Sequence, residues 1–289
     1  MENNNNAPLV YKRKLKSSEL WNLWISRVIL WVVIILVLFP IFAVVSASMA
    51  KGDVFFSGSL LPKQWSFENY TKVINETDFL IWVKNSLILC TSVSLIQLLM
   101  TTTSAYAFSR MKFFGRKGGL MFLLILQMFP TGMALSAILG IAYKLNFMDQ
   151  MWALALLLAG GSAYNIWLLK GFIDSLPREL DEAAMVDGAN HWQTFWKIIF
   201  PLAKPMLAVI FLFCFIGIYS EFMLTSALMK DSANYTMALG MQTFITGNFS
   251  AHWTQFAAAA IMSSLPIMII FMALQKFIAK GLTAGAVKG

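Results

Sequence analysis

Long apolar runs, separated by polar segments of uneven length, dominate the chain. A helix needs about 20 mostly apolar residues to cross the hydrocarbon core of a bilayer, and each run is close to that length. The runs occupy residues 25–48, 85–108, 118–143, 150–169, 201–222 and 256–274. Pro130 lies inside the third run, where it breaks or kinks a helix. The pattern predicts an all-α, polytopic membrane protein with six transmembrane helices.

The polar segments predict how the chain is divided. Residues 1–24 are expected to form a cytoplasmic N-terminal tail, residues 25–280 a six-helix transmembrane domain, and residues 281–289 a cytoplasmic C-terminal tail. Residues 51–84 carry turn formers and acidic side chains, which predict an external loop with short amphipathic pieces. A second outer loop is expected over residues 223–255.

Composition and charge exclude other classes of protein. With 58% hydrophobic and 12% charged residues, the chain is too apolar for an ordinary soluble domain. The net charge of +8 does not indicate nucleic-acid binding, because the cations flank apolar runs instead of lining a basic face. Most of the 22 Lys and Arg residues lie on the side that holds both termini. By the positive-inside rule, both termini of this multi-pass cell-membrane protein are cytoplasmic.

The cysteines and histidines do not predict a metal site. Cys90 and Cys214 lie inside apolar runs, where a thiol usually behaves as a small hydrophobic group. His191 and His252 lie far apart, without ligands at metal-binding spacing. We therefore expect no metal and no cofactor bound by this chain.

A polar interlude between the fourth and fifth runs predicts a helix, a turn and a second helix on the cytoplasmic side. Pro177 suits the first position of a helix, and Gly188 suits its end, so we expect the first helix over residues 177–188. Asn190 and Gln193 have the spacing of a capping box, which predicts the start of the second helix.

The first of these helices has an apolar stripe that needs a partner. The stripe, which we expect to be exposed, consists of Leu176, Leu180, Ala183, Ala184 and Asp187. A solvated surface helix would explain the neighbouring charged residues but not the pair of alanines.

The interlude resembles the EAA loop of permease subunits in binding-protein-dependent ABC importers. Glu182-Ala183-Ala184, then Gly188, then Ile198 to Pro201 match that pattern in type and spacing, with Phe200 where leucine is usual. The ending 281–289 also resembles that of MalG-type maltose and maltodextrin permeases. Further segments are similar to the same permeases, namely residues 103–110, 127–130, 239–242 and 256–266.

The resemblance implies a type I ABC importer permease fold and a set of partners. These are a homologous MalF-like permease, two copies of an ABC ATPase, an extracytoplasmic sugar-binding protein and a maltodextrin-like oligosaccharide. The chain contains no Gly-x-x-x-x-Gly-Lys-[Ser/Thr] phosphate-binding loop. ATP-Mg is therefore expected on the partner ATPase, and this subunit is expected to be non-catalytic.

The resemblance also implies three groups of residues that contact partner subunits. The ATPase-coupling residues would be Glu182, Ala183, Ala184, Asp187 and Gly188. The tail residues that contact the ATPases would be Gly285, Lys288 and Gly289. The residues that contact the binding protein would be Gly247, Asn248 and Phe249.

Polar groups within the spans are candidates for the substrate path. Tyr219 and Glu221 are the first choices. Gln97, Gln127 and Asn165 are further candidates, although such side chains, and Tyr219 too, more often join neighbouring helices by hydrogen bonds.

Three alternatives stay open. The chain could belong to an importer of another sugar, to an ion-coupled secondary transporter, or to a membrane scaffold that recruits a partner. A secondary transporter would be expected to carry paired carboxylates or broken half-helices in mid-membrane, and the sequence indicates neither of them.

Overall fold

The computed structural model describes residues 16–52, 61–246 and 252–286. Extended segments pair in those ranges only at one β-bridge, between Ala50 and Trp65. The helices are α1 (Ser17–Ser48), α2 (Glu68–Glu76), α3 (Phe79–Arg110), α4 (Arg116–Gln127), α5 (Thr131–Lys144), α6 (Met151–Ala159), α7 (Ala163–Asp174), α8 (Glu179–Val186), α9 (His191–Thr194), α10 (Phe200–Tyr219), α11 (Met223–Leu228), α12 (Met237–Gln242) and α13 (Trp253–Ala286). The predicted all-α class is confirmed, and α2 lies within the segment 51–84, for which short amphipathic pieces were predicted.

Four helices in the described ranges are long and apolar enough to cross a membrane by themselves. They are Ser18–Ser48, Phe79–Arg110, His191–Tyr219 and Trp253–Ile278. Two bent pairs, α4 with α5 and α6 with α7, raise the number of spans to six if each pair crosses once. The last helix extends beyond the predicted span, since α13 continues to Ala286.

Each bent pair consists of two half-helices joined at a sharp break, the geometry of a broken span or of a re-entrant loop. The α4–α5 pair bends by 90° around Pro130, as predicted from the proline. The α6–α7 pair bends by 48° at Gly160–Ser162, which the sequence analysis did not predict. The expectation that the chain lacks broken half-helices is therefore wrong. The apolar run continues across the second break without a proline, but Gly160, Gly161 and Ser162 lie at the break, and such helix-breaking residues are a local sign of it that run length alone does not show.

Helix α3 is the centre of the bundle and packs against α6, α7 and α10. Its inner face combines apolar side chains with small polar ones. The buried polar residues of α3 are Ser86, Ser94, Gln97, Thr101, Thr102 and Ser109. Small side chains allow close helix approach inside a membrane, and their hydroxyls can bond to nearby carbonyls.

Four of the five polar candidates for the substrate path join neighbouring helices. Gln97 Nε2 donates to Leu158 O (2.8 Å), Gln127 Oε1 accepts from Tyr164 N (3.0 Å), Asn165 Nδ2 donates to Cys214 Sγ (3.2 Å), and Tyr219 Oη donates to Ser263 O (2.8 Å). The reading of these side chains as helix–helix partners is confirmed. The bonds of Gln127 reach the α6–α7 break, so the end of α4 lies beside that break.

Helix α1 lies at the edge of the bundle and contacts α13. The apolar stretch of α1 is exposed in the single chain. An exposed apolar helix face of this size is stable only against lipid or another membrane helix.

On the face opposite α8, Asp149 joins the loop after α5 to the segment after α11. Its backbone N–H donates to Leu228 O (3.0 Å), and its carboxylate accepts from the backbone N–H groups of Lys230 (2.7 Å) and Asp231 (3.0 Å). Burial alone would raise the pKa of the Asp149 carboxyl. The hydrogen bonds from Asp231 and Lys230 outweigh burial and hold this pKa below its ordinary value of 3.8.

Candidate functional site

The predicted helix, turn and helix are present between α7 and α10. Helix α8 ends in a Schellman motif, in which Gly188 N donates to Met185 O (3.0 Å) and Ala189 N to Ala184 O (2.9 Å). Gly188 has a φ of 84°, a conformation that side chains other than glycine rarely adopt. The short α8 cylinder is therefore closed by a turn specified by its own sequence.

The predicted capping box at the start of α9 is confirmed. Asn190 Oδ1 accepts from Gln193 N and Gln193 Oε1 accepts from Asn190 N, both at 2.9 Å. The chain then passes through a π-helical turn, Phe195–Ile199, into α10. Phe195 of this turn is buried, and its ring centroid lies 5.2 Å from that of Tyr106 on α3. Aromatic packing thus fixes the second helix to the centre of the bundle.

Helix α8 has an exposed side and a buried side. Glu182, Ala183, Met185 and Val186 are exposed, and 87% of Val186 is accessible. Ala184, in contrast, is only 6% exposed. The prediction of one continuous exposed stripe is therefore wrong at Ala184, because this alanine faces the chain's own interior and supports the turn.

Of the other predicted coupling residues, Asp187 and Gly188 are exposed at the end of α8. Together with Glu182 and Ala183 they form one accessible surface, which we call the α8 knob. Its role in coupling stays a prediction.

A buried ion pair ties the inner side of α8 to α3. Arg110 Nε lies 2.8 Å from Asp181 Oδ2, and the two side chains are 5% and 8% exposed. Arg110 Nη2 also donates to Leu176 O (2.9 Å), just before α8. The N–H of Arg110 Nε does not point at the Asp181 carboxylate well enough to form a hydrogen bond, so the two groups interact as a charge pair. Among the described residues, neither Asp181 carboxylate oxygen accepts a hydrogen bond. The Asp181 charge therefore depends on Arg110.

The sequence analysis did not identify Arg110 or Asp181 as a functional pair. In the sequence, Arg110 is one of four cations that follow the second apolar run, and Asp181 lies beside the apolar stripe of residues 176–187. The two residues are far apart along the chain, so no local pattern shows that they meet. The local signal is the position of Arg110 in the last turn of α3, next to the loop that joins α3 to α4.

A second polar cluster connects the same ends of α3, α4 and α7. Ser109 Oγ donates to Asp174 Oδ1 (2.6 Å), and Lys170 is paired with Asp174. Arg116, at the start of α4, donates from Nε to Phe108 O (2.9 Å) and from Nη2 to Ser109 O (2.8 Å). Helix α8 is thus covalently continuous with α7, leads through α9 into α10, and is held to α3 by a charge pair.

Tyr219 and Glu221, predicted for the substrate path, both have partners within the chain. The buried Tyr219 hydroxyl is bonded to Ser263 O of α13. Glu221 accepts from Leu224 N (2.7 Å), Thr225 N (3.0 Å) and Thr225 Oγ1 (2.6 Å), so it caps α11. Their contact with substrate stays a prediction.

The remaining predicted residues are placed only in part. The backbone of Gly285 lies in α13, whereas Lys288 and Gly289 lie outside the described residues. Gly247, Asn248 and Phe249 lie outside them as well.

Comparisons with known proteins agree with this architecture. The family described as "Binding-protein-dependent transport system inner membrane component" matches residues 19–284. The chain is 39% identical over 261 residues to the maltodextrin transport system permease protein MdxG of Bacillus subtilis, covering 88% of this chain and 92% of that one. It is 34% identical over 291 residues to the maltose/maltodextrin transport system permease protein MalG of Escherichia coli, covering 94% and 98%. It is 36% identical over 268 residues to the galactooligosaccharides transport system permease protein GanQ of Bacillus subtilis, covering 91% and 95%.

Two solved structures share the fold. A bacterial ABC transporter involved in the import of the acidic polysaccharide alginate aligns with a TM-score of 0.76 and 24% identity, covering 92% of this chain and 99% of that one. A bacterial alginate ABC transporter in complex with an alginate pentasaccharide-bound periplasmic protein aligns with a TM-score of 0.62 and 18% identity, covering 88% and 92%.

Proposed function

The chain belongs to the family of binding-protein-dependent transport system inner membrane components, and we propose that it is one permease half of an ATP-driven importer of maltodextrin-like oligosaccharides. It is a multi-pass membrane protein and a permease subunit of a binding-protein-dependent importer. The sugar, the partner subunits and the orientation belong to the proposal.

The observation that carries the proposal is the two-sided α8. Its outer side presents Glu182, Ala183 and Val186, while its inner side is tied to the bundle through Asp181 and Ala184. A helix that is exposed on one side and fixed to the bundle on the other can transmit a movement of a bound partner to the transmembrane helices. A soluble domain with a cleft of matching shape is the partner that such a knob fits.

That soluble partner is proposed to be an ABC ATPase, present in two copies, which binds ATP-Mg. The sequence offers no phosphate-binding loop that would let the permease hydrolyse ATP itself. One copy of the ATPase would take the α8 knob of this chain, and the other the equivalent helix of a homologous MalF-like permease. The exposed apolar faces, that of α1 above all, are proposed to contact this second permease and lipid.

The proposed cycle follows from the ties of α8. Closure of the ATPase pair on ATP would move the knob, and the knob would carry α7 and α10 with it, because the chain is continuous through both. The Arg110–Asp181 pair would pull α3 in the same direction. A concerted shift of three spans opens the path outward toward a sugar-loaded binding protein, and hydrolysis resets it inward.

The sugar is proposed by similarity. MdxG is named for maltodextrin and MalG for maltose and maltodextrin, whereas GanQ, at 36% identity, is named for galactooligosaccharides. A galactooligosaccharide is therefore the second candidate. Both substrates are neutral oligosaccharides, so they differ in shape and linkage rather than in charge.

Uptake into proteoliposomes tests the proposal. The complete complex, with its binding protein outside and ATP inside, should accumulate labelled maltodextrin in preference to labelled galactooligosaccharide. A vesicle without ATP but with a proton or sodium gradient is the matched control. Uptake that follows the ion gradient and ignores ATP would show a secondary transporter instead.

The two bent pairs make that control necessary, because ion-coupled transporters also use broken helices. Within the described residues, however, the α4 and α6 ends meet at the amide of Gln127. An amide is neutral across the physiological pH range and cannot release or take up a proton there. This argues for the ATP-driven alternative.

A further inference from the structure

A groove between α4 and α7 combines a basic end with an apolar length. At the end nearest α8, a cavity of about 590 Å³ is lined by Arg116, Lys117 and Lys170 together with apolar residues. An adjoining cavity of about 710 Å³ adds Lys112. Asp174 is the only acidic residue among the described residues that line these two cavities.

Part of this positive charge is already satisfied within the chain. Lys170 is paired with the Asp174 carboxylate. Arg116 donates to two backbone carbonyls, which fix the position of the guanidinium but do not neutralise its charge. Lys112 and Lys117 are exposed, and among the described residues neither lies within ion-pair distance of a carboxylate. The basic end of the groove therefore has a net positive charge that a bound anion can offset.

The apolar part of the groove continues from the basic end toward the helix breaks. Leu120, Met121, Leu124 and Trp167 line its beginning, and a further cavity of about 420 Å³ extends it along Met121, Leu124 and Trp167 to Met128. At 1.5 Å per helical residue, the distance from Lys117 to Met128 is about 16 Å. Half of the hydrocarbon core of a bilayer is about 15 Å thick. The groove therefore has the length of one lipid leaflet.

We propose that this α4–α7 groove binds one anionic phospholipid. The headgroup phosphate lies among Lys112, Arg116 and Lys117, and one acyl chain lies along Met121, Leu124 and Trp167. A soluble anion would use the cations but leave the apolar length uncovered, and a neutral lipid would leave the cations unpaired. A helix of another subunit would have to bring its own acidic residues to this end.

The position of the groove suggests what the lipid does. Arg116 bonds to the carbonyls of Phe108 and Ser109, and Ser109 in turn bonds to Asp174. A phosphate beside Arg116 therefore sits against the polar cluster that joins α3, α4 and α7. Occupancy of the groove stabilises the arrangement of the three helix ends that lie next to α8.

The test uses the full chain, purified with the subunits that accompany it in membrane nanodiscs. A photoactivatable phosphatidylglycerol carrying its reactive group on the acyl chain is added, with the phosphatidylcholine analogue as the neutral probe. We expect the phosphatidylglycerol probe to label α4 or α7 between Leu120 and Trp167. The double substitution Lys112→Gln with Lys117→Gln should weaken this labelling by about 30-fold, since each lysine near an anionic headgroup contributes a factor of about five.

The matched control replaces two exposed lysines outside the groove, Lys144→Gln with Lys276→Gln, and should leave the labelling unchanged. Equal labelling by the two lipid probes would overturn the proposal. Crosslinks from a photoreactive group at position 167 to a second permease subunit, instead of to lipid, would also overturn it, because they would show that this subunit covers the groove. Because the readout is lipid labelling and not transport, the result does not depend on the identity of the sugar.

Discussion

The buried Arg110–Asp181 pair gives the sharpest prediction, because its side chains are only 5% and 8% exposed. Asp181→Asn removes the negative charge and leaves Arg110 buried with only the Leu176 carbonyl as a hydrogen-bond partner among the described residues. Breaking a buried pair from one side typically costs about 3–5 kcal/mol. Such a loss raises the population of molecules with α8 detached from α3 by a factor of roughly 160 to 5,000.

Two measurements on the reconstituted complex read out this change. Hydrogen exchange of the α8 amides should become faster in Asp181→Asn, and the amount of sugar imported per ATP hydrolysed should fall. The double variant Arg110→Met with Asp181→Leu replaces both charges by apolar groups, a change that is often neutral or stabilising for buried pairs. We expect it to restore slow exchange.

Glu179→Gln is the matched control, since Glu179 is an exposed carboxylate on the same helix. Its exchange rates should equal those of the wild type. Slow exchange and full transport in Asp181→Asn would show that the Arg110–Asp181 pair does not fix α8 to α3. Fast exchange in the apolar double variant would show that the charges themselves, and not their burial, secure α8.

Three further changes test local features of the structure. Gly240→Ala would place a Cβ 2.1 Å from Cδ2 of Trp82, so we expect it to lower the free energy of unfolding by about 1–3 kcal/mol and to lower the thermal midpoint of the complex. Gly217→Ala, which has open space around the added carbon, should leave the midpoint unchanged. Equal midpoints for the two variants would show that Gly240 is not crowded by Trp82. Asn190→Ala removes the capping acceptor and should cost about 1 kcal/mol, whereas Asn190→Asp keeps the acceptor and the midpoint. The folded-state pKa of Asp149 lies below 3.8, so its contacts stabilise the fold above the unfolded-state pKa, and this stabilisation is lost as the pH falls through the folded-state pKa. Limited proteolysis of the segment after α11 should therefore increase on acidification in the wild type and be independent of pH in Asp149→Asn. Identical pH profiles of the two proteins would exclude this role of Asp149.

Features specified by neighbouring residues were predictable from the sequence. The capping box needs only Asn190 and Gln193, and the end of α8 needs only Gly188, so local patterns located both. The spans follow from run length, and the first break follows from Pro130.

Features that depend on distant residues were not predictable. The break between α6 and α7 has a local sign in Gly160 and Gly161, but the amide that bridges it belongs to Gln127 of α4, and no pattern within α6 or α7 predicts that bond. The burial of Asp181 likewise depends on Arg110 at the end of another helix. Helical periodicity placed Ala184 on the stripe, but only the packing of α8 decides which side of that stripe faces inward.

We propose that α8 presents its knob to an ATPase subunit on the cytoplasmic side of the membrane. A single cysteine at Val186, which is 87% exposed, tests it most directly in a complex whose native Cys90 and Cys214 are replaced by alanine. The account predicts that this thiol is protected from a membrane-impermeant reagent outside intact cells and crosslinks to the ATPase in the purified complex. Labelling from the outside, or a fully active complex without that crosslink, would contradict it.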